Sequence, residues 1–381
     1  MAPDAQDTSG GDRTGVREEL RALTSVRGVA AWMVVLYHIR LSVAGLPANA
    51  VAFFAKGYLA VDFFFLLSGF VIWLSWSERL RREGWRAVPA FLRKRVARIW
   101  PLHLVVLGGA VALALALIVT AHANPEDYPF AQLPLHVMLL QNWGFTDHLV
   151  WNDPSWSISC ELGAYLLFPL LALAIDWRRV PTPAVVAAIG ALLLLLHEIM
   201  TAVGAANLGQ GISQIGLVRC VLEFAAGTAT GALWLRWRGA AARPGWIAAT
   251  VAAASFALWL GGTLPETLAI PAAFAAALLA LALSSGTRGN PLEARWLHYL
   301  GEISYATYLA HFMLFVVFKL ALVSDAHAIH PALIALYLAM VLGSSIALYH
   351  FVERPAQRWV NAVALPAWPR LRRRPSAPKA S

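Results

Sequence analysis

From its amino terminus the chain is polar for about twenty residues and then alternates long apolar runs with short charged loops. A helix needs about 20 mainly apolar residues to cross the hydrocarbon layer of a bilayer. A window of that length marks ten runs, at 28–46, 57–76, 99–121, 155–176, 182–203, 215–235, 246–262, 267–285, 298–322 and 331–352. The pattern predicts an all-α, polytopic membrane protein with about ten transmembrane helices, so that both termini lie on one side. The basic residues name that side, because loops rich in Lys and Arg stay in the cytoplasm. With a cytoplasmic amino terminus, all but four of the 30 Lys and Arg fall inside, the exceptions being Arg40, Lys56, Arg219 and Lys319. The expected organisation is a cytoplasmic segment 1–27, a ten-helix membrane domain 28–355, and a basic, disordered cytoplasmic tail 356–381.

Composition agrees. The chain is 59% hydrophobic and 13% charged, against roughly a quarter charged in a soluble domain. The net charge of +9 follows from loop bias, so no nucleic-acid partner is expected. The polar start lacks an apolar run behind a short basic region, and no cleavable signal peptide is expected. Cys160 and Cys220 both sit in apolar runs and suggest neither a disulfide framework nor a metal site.

Ionisable side chains inside apolar spans are costly, which makes each a functional candidate. In the first span Arg27 and His38 are three turns apart on one face, separated by roughly 16 Å, which puts His38 near mid-membrane. The second span sets Asp62 among aromatics, followed by Ser68-Gly69, a pair suited to close helix contact. Arg93, Arg95 and Arg98 precede the third span. Their guanidinium forks suit phosphate oxygens, although cytoplasmic bias alone also explains basic residues there. The fourth span opens Asn152-Asp-Pro-Ser-Trp156-Ser157-Ile-Ser-Cys160-Glu161. In the sixth, Arg219 and Glu223 stand at i and i+4 and are expected to neutralise one another. The ninth carries Glu302, Ser304, Tyr305, Tyr308 and His311, and the tenth ends in Glu353-Arg354-Pro355, with Pro355 expected to stop the helix.

Taken in order, Arg-x10-His, Val-Asp-Phe-Phe-Phe-Leu-Leu-Ser-Gly-Phe, Arg-x-x-Arg-Ile-x-Pro, Trp-Ser-Ile-Ser-x-Glu, Gly-x-Ile-Ser-Tyr-x-x-Tyr-Leu-x-His and Val-Glu-Arg-Pro resemble the acyltransferase-3 family. These are integral-membrane O-acyltransferases of bacterial polysaccharides and related glycans. The resemblance implies transfer of an acyl group, acetyl being expected, from cytoplasmic acyl-coenzyme A to a hydroxyl of an envelope or exported glycan. It places the protein in a bacterial inner membrane, with acyl-coenzyme A, a glycan or lipid-linked oligosaccharide and membrane lipids as partners and no permanently bound cofactor. By the same resemblance Arg27, Arg95, Arg98 and Arg93 hold the donor. His38 is general base or transient acyl carrier; Glu161 and Asp62 assist it; Trp156, Glu353 and His311 contact substrate. The competing class is a transporter or lipid-linked glycan flippase. That class is expected to show inverted repeats and broken helices in matching positions, which the sequence lacks.

Overall fold

The computed structural model describes residues 20–120, 126–240, 242–287 and 289–362. Most of the expected amino-terminal segment and of the expected tail lies outside the described residues. Ten long helices account for most of what is described: α1 Arg21–Ile39, α2 Ala60–Glu83, α3 Val88–Val119, α4 Ser155–Ala174, α5 Thr182–Ala202, α6 Ile212–Trp237, α7 Arg243–Leu260, α8 Glu266–Ser284, α9 Ser304–Leu322 and α10 Pro331–Leu348. Each of the ten apolar windows falls on one of them. Helices are the natural form for such windows, because they pair every backbone N–H and C=O within the segment where no water can. Among the described residues, eight helical stretches are long and apolar enough to cross a membrane. One of these, 48–119, contains both α2 and α3, which part at Gly84, where φ is +61°, a backbone region open chiefly to glycine. α7 is not among the eight; its 18 residues open on Arg243, Pro244 and Gly245.

Helix directions obey the alternation that the loops imply. α1 and α9 touch at Arg27–Ser304 and again at His38–His311, so these two odd-numbered helices run parallel. α2 and α4 touch at Phe65–Trp156, Ser68–Glu161 and Arg81–Ala172, so these two even-numbered helices also run parallel. α9 and α10 pair in opposite directions: Tyr337 of α10 meets His311, and His350, just after α10, meets Tyr299, just before α9.

α6 is central and α5 peripheral: 78% of a span-length window is buried in α6 and 22% in α5. The reason is side-chain size. α6 carries Ala225, Ala226, Gly227, Thr228, Ala229, Thr230 and Gly231 in succession, which lets another backbone approach. A Cβ on Gly69 of α2 would overlap the carbonyl of Phe224, and one on Gly227 would overlap that of Leu66. This is the close contact expected of Ser68-Gly69.

Two expectations change. α1 starts and ends about two turns earlier than the window 28–46. After Ile39 the chain turns, and Ser42 and Ala44 exchange backbone hydrogen bonds with Ile329 at 2.7 and 3.0 Å. His38 therefore lies in the last turn of α1, away from mid-span. Nor does Pro355 stop the chain's helicity. A π-helical turn, Tyr349–Glu353, leads into a further helix, Arg354–Ala362, so the helical stretch continues through Pro355.

Candidate active site

Arg27, in the second turn of α1, donates from Nη2 to Gly301 O at 2.7 Å and from Nε to Ser304 Oγ at 3.1 Å. Gly301 belongs to the last turn of a short helix, Arg295–Glu302, so Arg27 satisfies a carbonyl that the helix leaves open. This contact fixes the start of α9 beside α1. From there Ser304, Tyr308 and His311 recur at i, i+4 and i+7 on one face of α9, over about 10 Å.

At the far end of that face the two imidazoles meet, and the surrounding acceptors fix their tautomers. His38 Nδ1 lies 2.9 Å from Val34 O; a carbonyl oxygen only accepts, so Nδ1 carries the proton. His311 Nδ1 lies 2.7 Å from Tyr308 O and carries its proton for the same reason. His311 Nε2 then holds a lone pair and lies 3.1 Å from His38 Nδ1, whose one N–H it shares with Val34 O. His38 Nε2 keeps the remaining lone pair, 3.8 Å from Asp153 Oδ2. Asp153 side-chain exposure is 38%, against 14% for His38, so this nitrogen faces the more open side. Phe312 and Tyr37 stand edge-on to the His38 ring at 5.3 and 4.9 Å and limit its rotation.

Between Arg27 and the imidazole pair is a cavity of about 160 Å³. Arg27, Arg95 and Arg98 lie on its wall, with Glu161, Tyr165 and Tyr308. Glu161 accepts from Ser68 Oγ at 2.6 Å and from Tyr165 OH. Arg95 lies over the Tyr165 ring at 6.0 Å. Arg98 pairs with Glu353 and lies over the Tyr305 ring at 5.4 Å. The π-helical turn carries Glu353, buried to 1% exposure, to this contact; such turns often mark functional positions.

Of the ten residues singled out in the sequence, Arg27, Arg95, Arg98 and Glu161 gather on one cavity wall, and His38 and His311 form the pair beyond it. Glu353 joins them through Arg98. His311 is fully buried, with 0% exposure, and both its nitrogens are engaged, so it offers no free ring nitrogen of its own. Arg93 is not on the cavity wall; two residues from Arg95, it projects from a different face of α3. Trp156 packs edge-on to Phe65 at 5.9 Å with the Arg219 guanidinium 5.6 Å from its ring, also away from the cavity wall.

Asp62 belongs to a second group. Arg219 Nη2 and Nε reach Asp62 Oδ1 at 2.6 and 2.7 Å, and Arg219 also donates to Leu208 O. The expected Arg219–Glu223 neutralisation is thus replaced by an ion pair between α6 and α2, since the glycine contacts bring Asp62 within reach of the guanidinium. Sequence reasoning gave no role to Asp153, Ser157 or Tyr308. Asp153 had one signal, its place in an Asn-Asp-Pro-Ser turn just before a span.

Residues 20–350 match a family profile described as an acyltransferase domain. The chain is 34% identical over 287 residues to Acyltransferase MdmB of Streptomyces mycarofaciens, covering 68% of each protein. It is 36% identical over 110 residues to Protein 2 in picA locus of Rhizobium radiobacter, a stretch that covers 29% of this chain and 53% of that one. No solved structure matches the chain.

Proposed function

The chain belongs to this acyltransferase family, and we propose that it moves an acyl group, acetyl in the first instance, from cytoplasmic acyl-coenzyme A to a hydroxyl of an envelope or exported glycan in a bacterial inner membrane. The observation that carries this reading is the Arg-walled cavity that ends at Tyr308, one helical turn before His311, whose partner His38 keeps one uncommitted nitrogen. Coenzyme A is polyphosphorylated, and Arg27, Arg95 and Arg98 offer forked donors for its phosphates at the end where the basic loops lie. His38 Nε2, on the opposite side of the pair, takes the proton of the acceptor hydroxyl as general base. His311 holds His38 in the tautomer that leaves this nitrogen free, and Asp153 stands where it stabilises the imidazolium that forms. Glu161 braces the cavity wall through Ser68 and Tyr165.

The test is isotope transfer from acetyl-labelled coenzyme A to envelope glycan in membranes carrying the native protein, the His38→Gln variant, or neither. Label incorporated with the native protein alone supports the reading. Equal incorporation with His38→Gln at matched protein levels removes His38 from the chemistry, and none with the native protein removes the proposed donor and acceptor pair.

A further inference from the structure

Acyl transfer requires more than a base. When a hydroxyl attacks a thioester, negative charge develops on the carbonyl oxygen, and donors already aimed at that charge commonly provide the largest single stabilisation. The cavity wall holds six hydroxyl groups, and five are committed to strong acceptors. Ser68 and Tyr165 donate to the Glu161 carboxylate. Ser304 donates to Gly301 O at 2.8 Å, Tyr305 to Ile99 O at 2.6 Å and Ser157 to Pro154 O at 3.1 Å. The sixth is Tyr308. Its phenol lies 2.8 Å from Ser157 Oγ, and because Ser157 spends its own proton on Pro154, Tyr308 is the donor. A hydroxyl oxygen is a weaker acceptor than a carbonyl or carboxylate, so this bond is the one most readily exchanged for a bond to an anion.

Position points the same way. Tyr308 precedes His311 by one helical turn, and their ring centroids are 6.3 Å apart; it therefore separates the donor cavity from the imidazole pair. Phe64 stands edge-on to its ring at 5.7 Å and 88°, which fixes the ring and leaves the O–H free to rotate. Asp153 and Ser157 repeat the arrangement on the other wall: Asp153 faces His38, and Ser157, one turn on, lines the cavity.

From this geometry we infer that Tyr308 is the oxyanion donor of the reaction, its O–H turning from Ser157 Oγ to the thioester carbonyl; the inference rests on the donor-cavity reading above. The acceptor oxygen bonds to the carbonyl carbon while its proton passes to His38 Nε2. The carbonyl π pair moves onto oxygen, where Tyr308 O–H holds it. Collapse restores the C=O and breaks the C–S bond, and the proton on His38 passes to the leaving thiolate, yielding ester and free coenzyme A thiol.

The test is difference infrared spectroscopy of purified protein with acetyl-coenzyme A labelled with ¹³C at the thioester carbonyl, which needs no acceptor. Native protein is expected to shift the carbonyl stretch of the bound probe to lower frequency. Tyr308→Phe, which keeps the ring, is expected to bind the probe with the shift lost, and Ser157→Ala to keep it. In membranes Tyr308→Phe is expected to lower kcat roughly 10²- to 10³-fold with donor KM little changed. An unshifted carbonyl in the native protein, or an equal shift in Tyr308→Phe, overturns the assignment. So does failure of Tyr308→Phe to bind a probe that native protein binds. Failure of native protein to bind the probe overturns the donor-cavity reading with it.

Discussion

Among the described residues, two groups of ionisable side chains inside the helix bundle, one largely half-buried and one fully buried, differ in what surrounds them. The first, Arg27, Arg98, Glu161, His38 and His311, joins α1, α3, α4 and α9 around a cavity and leaves one imidazole nitrogen uncommitted. The second, Asp62, Arg219 and Glu223, joins α2 to α6 where the two backbones are closest, and its residues are 0 to 2% exposed with none on the wall of that cavity. By sequence alone the two are alike, since any charge in an apolar span is a candidate for function. The structure separates them by space: the first group borders a cavity with room for a substrate, and the second is closed in between two helices.

The sharpest way to break this contrast is at His38. His38→Gln keeps a hydrogen-bonding side chain but carries no proton at neutral pH, so transfer is expected to fall about 10²- to 10⁴-fold at unchanged protein level. Activity above roughly a tenth of native would move His38 into the structural class.

Next comes the opposite effect at Arg219. Arg219→Leu strands Asp62 beside Glu223 without a counter-ion, and breaking such a pair from one side costs about 3–5 kcal/mol. The expected result is a large drop in folded protein and in the thermal midpoint, partly recovered when Asp62→Asn is added. A singly substituted protein that folds normally and loses only transfer would place this cluster with the first.

A smaller effect is expected at Arg98, where a charge-assisted hydrogen bond is worth about 1.5–3 kcal/mol. Arg98→Ala should weaken acetyl-coenzyme A binding by at least roughly tenfold, and Arg98→Lys should recover it in part, because the fork is lost. Unchanged affinity in both would separate the cavity from the donor.

The smallest lies outside the spans. His136, in the short helix Leu133–Val137, is buried; burial, and next the neighbouring His103, push its pKa down to about 4. The unfolded chain binds a proton there from about pH 6.5 downward and the folded chain does not until about pH 4. Stability is therefore full above that window and falls as pH drops through it, by roughly 1 kcal/mol at pH 5.5. His136→Phe should flatten the dependence of the thermal midpoint between pH 7 and 5.5; an unaltered slope would mean that another group sets it.

The sequence by itself determined the helices, because the apolar content of a window is a local property and a segment in lipid has no other way to satisfy its backbone. It also made the bundle's basic ends legible through Lys and Arg alone. The relation between Arg27 and His38 was readable as well, since both lie on one helix, and helical spacing fixes it without reference to a neighbour. What joins different helices was not readable. Arg219 has an acid one turn away in Glu223, and local spacing favours that partner. Its partner is Asp62, 157 residues distant, because glycines at 69 and 227 let α2 and α6 touch. The same holds for His311 on His38 and for Tyr308 on Ser157: which nitrogen keeps its lone pair, and which hydroxyl remains free to turn, depends on acceptors supplied by other segments, and packing alone brings those within hydrogen-bond distance.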